Sequence, residues 1–155
     1  MKKYVLFLLS FAILFSLVAC GGEKQDAPKT LGEAMRQVFR ENSDMTAEEI
    51  ADAALSREEI EFMGSTAPVT EGELAGFKSE ISGFDRAVMF APNIGTIPFI
   101  GYVFEVSQNA ESFAETLKAN ADPRWNICTE AEETVVETEN GKVFFVMCPK
   151  TLSEQ

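Results

Sequence analysis

The chain has 155 residues with 25 acidic and 13 basic side chains, a net charge of −12, and no histidine. Histidine is the usual general base near neutral pH and the commonest metal ligand, so Ser-His-Asp, Cys-His and His-based zinc chemistry are excluded. The acidic balance also argues against nucleic acid, because clustered Lys and Arg are what neutralise phosphates.

Lys2 and Lys3 open the chain with positive charge, and Tyr4 to Ala19 follow with none, dense in Leu, Phe, Ile and Val. This is the layout of a secretory signal. The run is shorter than the ~20 apolar residues of a transmembrane helix. It ends Leu17-Val18-Ala19-Cys20, which resembles the bacterial lipobox. That resemblance implies that the Cys20 thiol receives a diacylglyceryl group and that the chain is cut before it. Two acyl chains anchor stably where one is marginal. The expected location is the extracytoplasmic face of a cell membrane. Removing the first 19 of 155 residues leaves 136 and takes the basic count from 13 to 11, a net charge of −14. Such a surface is repelled by anionic headgroups, so lipid is what holds the protein to the membrane.

Gly21 to Lys29 reads as a tether, with Gly21, Gly22 and Pro28 among polar residues; at ~3.3 Å per residue it spans no more than about 30 Å. A single domain is expected over 30–155, long enough for a core of its own. Thr30-Leu31-Gly32-Glu33 has capping-box spacing and predicts a helix over 31–41, with Leu31, Met35 and Val38 at helical period. The spacing recurs at Thr46-Ala47-Glu48-Glu49 and Ser56-Arg57-Glu58-Glu59 and predicts two more short helices. Glycines and prolines break the period between Met63 and Gly83, which reads as loop with a short extended piece around Ala67 to Thr70.

Phe84 to Ala91 and Ile97 to Val106 are strands, rich in aromatic and β-branched residues, joined by Pro92-Asn93-Ile94-Gly95. Pro98 lacks an N–H and places the start of the second at an edge or bulge. Asn109 caps a helix whose stripe is Ala110, Phe113, Ala114 and Leu117. Asn126 to Thr129 reads as extended. Thr134 to Thr138 and Lys142 to Cys148 form a hairpin about Asn140-Gly141, a type I′ signal. In the last strand Val143, Phe145 and Met147 oppose Phe144, Val146 and Cys148. Apolar on both faces, it is expected to be central and covered on both sides. The fold class is α+β: short helices, then a mainly antiparallel sheet of about four strands (ββαββ) with the 110–119 helix packed on it. There is no internal repeat.

Cys128 and Cys148 remain after Cys20, an even pair in an oxidising compartment. The hairpin places Cys148 opposite Glu133, within reach of a returning chain, and predicts a bridge contributing ~3 kcal/mol by loop-closure entropy. The competing reading is two buried thiols, each packing as a small hydrophobe. Neither a Cys-x-x-Cys motif nor an Asp-x-Asp-x-Asp calcium loop is present. No cofactor or metal is expected. The remaining chemical option is a carboxylate pair of the glycosidase kind, and Glu105 and Glu137 are the candidates because each interrupts an apolar strand.

The segment Asn120-Ala121-Asp122-Pro123-Arg124-Trp125-Asn126-Ile127-Cys128, with the Val-rich strand, Asn-Gly turn and Val143–Met147 strand after it, resembles a domain of unknown function in small surface lipoproteins of Gram-positive anaerobes. The resemblance covers about residues 84–150. The lysine of that family's Asp-x-Arg-Lys-Trp-like stretch is absent here. The family implies location and fold, and no functional residue carries over from it. The functional expectation is a non-catalytic protein-interaction module that recruits an envelope protein, with the dense acidic run Glu130, Glu132 and Glu133 as the contact. Alternatives are capture of a small or cationic solute, with Phe99, Tyr102, Phe104 and Trp125 lining a pocket, and a carboxylate-based hydrolase.

Overall fold

The computed structural model describes residues 27–151; the expected signal segment, Cys20 and most of the expected tether lie outside them. Three helices and five strands follow in the order α1 (Leu31–Asn42), α2 (Ala47–Leu55), β1 (Gly64–Val69), β2 (Arg86–Pro92), β3 (Ile100–Glu105), α3 (Ala110–Asn120), β4 (Glu133–Glu139) and β5 (Lys142–Cys148). The strands make one sheet, ordered β1-β2-β3-β5-β4, with every neighbouring pair antiparallel. The α+β class stands, with one strand more than expected.

The added strand is β1. Gly64 and Pro68 argue against a strand, yet at a sheet edge one side of the backbone needs no partner, so a missing N–H is tolerated there. The third capping motif makes no helix. Ile60 N–H donates to the Arg57 carbonyl (3.0 Å) in a turn, and Ile60 and Phe62, two apart, are both drawn onto the core. An i, i+2 apolar pair suits an extended chain rather than a helix. Asn126 to Thr129 is likewise a turn, closed by Thr129 N–H on the Asn126 carbonyl at 2.9 Å. Pro98 precedes β3 rather than interrupting it.

The alternation of β5 divides the interior in two. Phe144, Val146 and Cys148 face α1 and α2 with Met35, Phe39, Ile50 and Phe90. Val143, Phe145 and Met147 face α3 and the 70–85 connection with Tyr102, Phe104, Phe113 and Leu117. Stacked Phe39–Phe144 rings at 5.1 Å join α1 to the sheet, and an edge-on Phe104–Phe113 pair at 5.1 Å joins α3 to it. Gly101 has a specific reason: it sits opposite Phe90 in the register, and a Cβ would run into the Phe90 ring. Asn140 and Gly141 take φ of 51° and 71°, as a type I′ turn requires.

The strand directions give the molecule two ends. At one lie the start of β1, the end of β2, the starts of β3 and β4 and the end of β5, since Gly64 pairs with Pro92, Ile100 with Met147 and Glu133 with Cys148. The N-terminus of α1 lies at this same end, because Leu31 N–H donates to the Lys150 carbonyl at 2.8 Å. The other end carries the 43–46 turn, where Met45 follows α1, and the Asn140-Gly141 turn, with Asn140 Nδ2 donating to Asp44 at 2.8 Å.

Candidate functional site

The acidic run is built into the scaffold. Glu133 accepts from Gly32 N–H at 2.9 Å, holding the first turn of α1 to the start of β4. The helix N-terminus has unsatisfied donors and a positive dipole end, both of which favour a carboxylate. Gly32 permits this approach, because a Cβ there would lie 2.5 Å from Glu133 Oε2. Glu132 accepts from Lys150 N–H at 2.9 Å, while its own N–H donates to the Cys148 carbonyl at 3.0 Å. Glu130 is exposed, 3.7 Å from Arg124. Two of the three carboxylates are thus engaged by backbone N–H groups, Glu133 by the first turn of α1 and Glu132 by the residue two beyond β5.

Glu105 and Glu137 lie on strands that are not neighbours. They point to the same face of the sheet, but β5 runs between their strands and Glu137 pairs with Phe144 where Glu105 pairs with Lys142. Two strand spacings and a two-residue offset put their backbones roughly 12 Å apart. Glu137 is also occupied, receiving Arg36 Nε at 3.1 Å and Arg40 at 3.0 Å from α1.

The cysteines are free thiols, Cys128 exposed and Cys148 buried, which corrects the expected bridge. The register is as predicted, with Cys148 opposite Glu133, but the strand pleat turns the Cys148 side chain inward beneath α1 and α2. The returning chain carries Cys128 on an exposed outer turn. Burial first, then the nearby Glu133 carboxylate, pushes the Cys148 thiol well above its ordinary range. It stays protonated and inert.

The four aromatics proposed to share a pocket are split between the layers: Phe99 belongs to the helix-pair side, Tyr102 and Phe104 to the α3 side. Tyr102 donates its hydroxyl to the Ala75 carbonyl at 2.8 Å, and burial raises its pKa. Only Phe99 and Trp125 meet at a surface. With Pro92, Ile97 and Ile100 they line a depression of about 290 Å³ at the end where α1 begins.

The loops that give this depression Gly95 and Asn126 also carry exposed side chains that the sequence left unmarked. Met63 is 81% exposed, Ile94 70% and Ile127 95%. Three loops hold them together at one end: Asn93 N–H donates to the Met63 carbonyl at 2.9 Å, Asn126 Nδ2 to the Gly95 carbonyl at 2.6 Å, and Thr129 Oγ1 reaches the Thr96 carbonyl at 3.4 Å. The remaining exposed large hydrophobic among the described residues, Met45, lies at the far end at 44%. Single exposed apolar residues are ordinary on protein surfaces, whereas several at one end make a candidate contact surface. The available signal was Ile94, a large aliphatic inside a Pro-Asn-Ile-Gly turn, where polar residues are usual.

Among the described residues no group of acidic and cysteine side chains is arranged to hold a metal ion, and no helix is long and apolar enough to cross a membrane. Comparison with protein-family models, curated proteins and solved structures finds no match for this chain.

Proposed function

We propose that this chain is a cell-envelope lipoprotein, cut before Cys20, anchored by lipid on that cysteine, and serving as a non-catalytic interaction module on the extracytoplasmic side of the membrane. The observation that carries the reading is the order Lys2-Lys3, sixteen uncharged residues, then Leu17-Val18-Ala19-Cys20. The acidic surface suits a cationic envelope partner, whose contact would weaken with salt because exposed charges act over only ~8 Å at physiological ionic strength. The absence of histidine and the structural employment of Glu132, Glu133 and Glu137 favour recruitment over turnover. The experiment is growth of an expressing bacterial host on labelled palmitate. The wild-type chain should carry the label and sediment with membranes, and Cys20→Ala should lose the label and remain uncut. An unlabelled, soluble wild type overturns the reading.

A further inference from the structure

We infer that the end of the domain bearing Met63, Ile94 and Ile127 rests on the lipid surface, so that the protein lies against its membrane in a defined orientation. The inference rests on the lipoprotein reading and adds to it where the domain sits. Three observations meet. The most exposed large apolar side chains of the described residues, at 81%, 70% and 95%, stand in loops at the end that carries the Trp125 hollow. The chain enters the domain at that same end, where Leu31 is bonded to Lys150 and Gly32 to Glu133. Nine residues separate Cys20 from Thr30, whose contour cannot exceed about 30 Å. An anchor at Cys20 therefore keeps this end within reach of the bilayer at high effective concentration.

The chemistry of the contact follows from the residues. Aliphatic side chains and a tryptophan suit the headgroup boundary, where one part of a ring is apolar and the other wet. Lys29, Arg124 and Lys150 share this end with Glu33, Glu59, Glu61, Glu130, Glu132 and Glu133, an acidic balance that anionic headgroups repel and neutral headgroups do not. No cationic excess draws it to anionic lipid, and the contact is apolar. It should therefore be salt-insensitive, unlike the contact with a cationic partner, and weak enough to depend on the anchor.

Trp125 is the chain's one tryptophan, so the protein carries its own reporter. The full chain is expressed with labelled palmitate, purified, and reconstituted in phosphatidylcholine vesicles containing acyl-brominated phosphatidylcholine. Trp125 fluorescence should be quenched, with no change on adding salt, and Ile94→Ser/Ile127→Ser should cut the quenching by about half or more while label and anchoring persist. Both side chains are solvent-exposed, so the double variant retains the core, and an unchanged urea midpoint verifies this. A labelled, anchored wild type with unquenched Trp125, or a double variant quenched as strongly as wild type, overturns the inference and leaves the lipoprotein reading standing. Shielding of Trp125 in native envelopes but not in vesicles would assign this end to a protein partner and also overturn it. A chain without label removes the anchor and both readings fall.

Discussion

Glu133 and Cys148 face each other across β4 and β5, and that pairing was legible from the Asn140-Gly141 turn alone. What each side chain does was not. Glu133 reads as one of an acidic run offered to a partner, and its carboxylate receives the N–H of a residue 101 positions earlier. Cys148 reads as half of a bridge, yet its thiol is in the core. Register follows from local turn chemistry, while partners depend on which distant element covers the strand. The thiols make a direct check. In the native protein Cys128 should react at once with a water-soluble disulfide reagent and Cys148 only after unfolding, because it is buried and held protonated. Mass analysis of the untreated protein should show no link between them. Two unreactive thiols and a loss of two protons' mass would restore the bridge.

Helices α1 and α3 were read within a residue or two of their observed bounds, since a cap and an i, i+3, i+4 stripe are local signals. The boundaries of β2 and β3 were read less closely, and β1 was only a fragment, because strands are defined by their neighbours. The third capping motif failed because capping decides where a helix begins only if an apolar period follows. For α3 the period does follow, and Phe113 is 7% exposed, packed edge-on against Phe104. Phe113→Ala should destabilise the domain by about 3 kcal/mol in urea unfolding, at the lower end for a buried aromatic because Phe84 also packs there and can fill part of the space. A loss below ~1 kcal/mol would mean that α3 is held by something other than this packing.

At the scale of the whole domain, the two strongly perturbed groups among the described residues lie on opposite faces of the one sheet, Cys148 under α1 and α2 and Tyr102 under α3. Both have folded pKa values raised by burial above ordinary values of 9.0 and 10.0. Folding favours their protonated forms. The unfolded chain releases these protons first, so their stabilisation is complete below about pH 9 and is lost as pH rises beyond it. Each can contribute a slope of up to ~1.4 kcal/mol per pH unit between its unfolded and folded values. Urea midpoints should therefore fall steeply above pH 9, and Tyr102→Phe should remove the component beginning near pH 10. A midpoint flat to pH 11 would show that both groups reach water in the folded state.

The sequence by itself determined the α+β class, the interior position of β5 and the two faces of that strand. Each depends on a pattern within about ten residues: a two-residue turn, an alternation, a cap. Only the tertiary structure decided that α1 and α2 cover the sheet face opposite α3, that Gly64–Val69 completes an edge, and that Glu132 and Glu133 serve backbone N–H groups. It also decided that Met63, Ile94 and Ile127, separated by more than thirty residues between Ile94 and its neighbour in sequence on either side, stand at one end. Each is an isolated apolar residue in a loop and carries no periodic signal of its own. Their proximity exists because antiparallel pairing returns β1, β2 and β3 to the same end of the sheet and sets the 122–131 turn beside it.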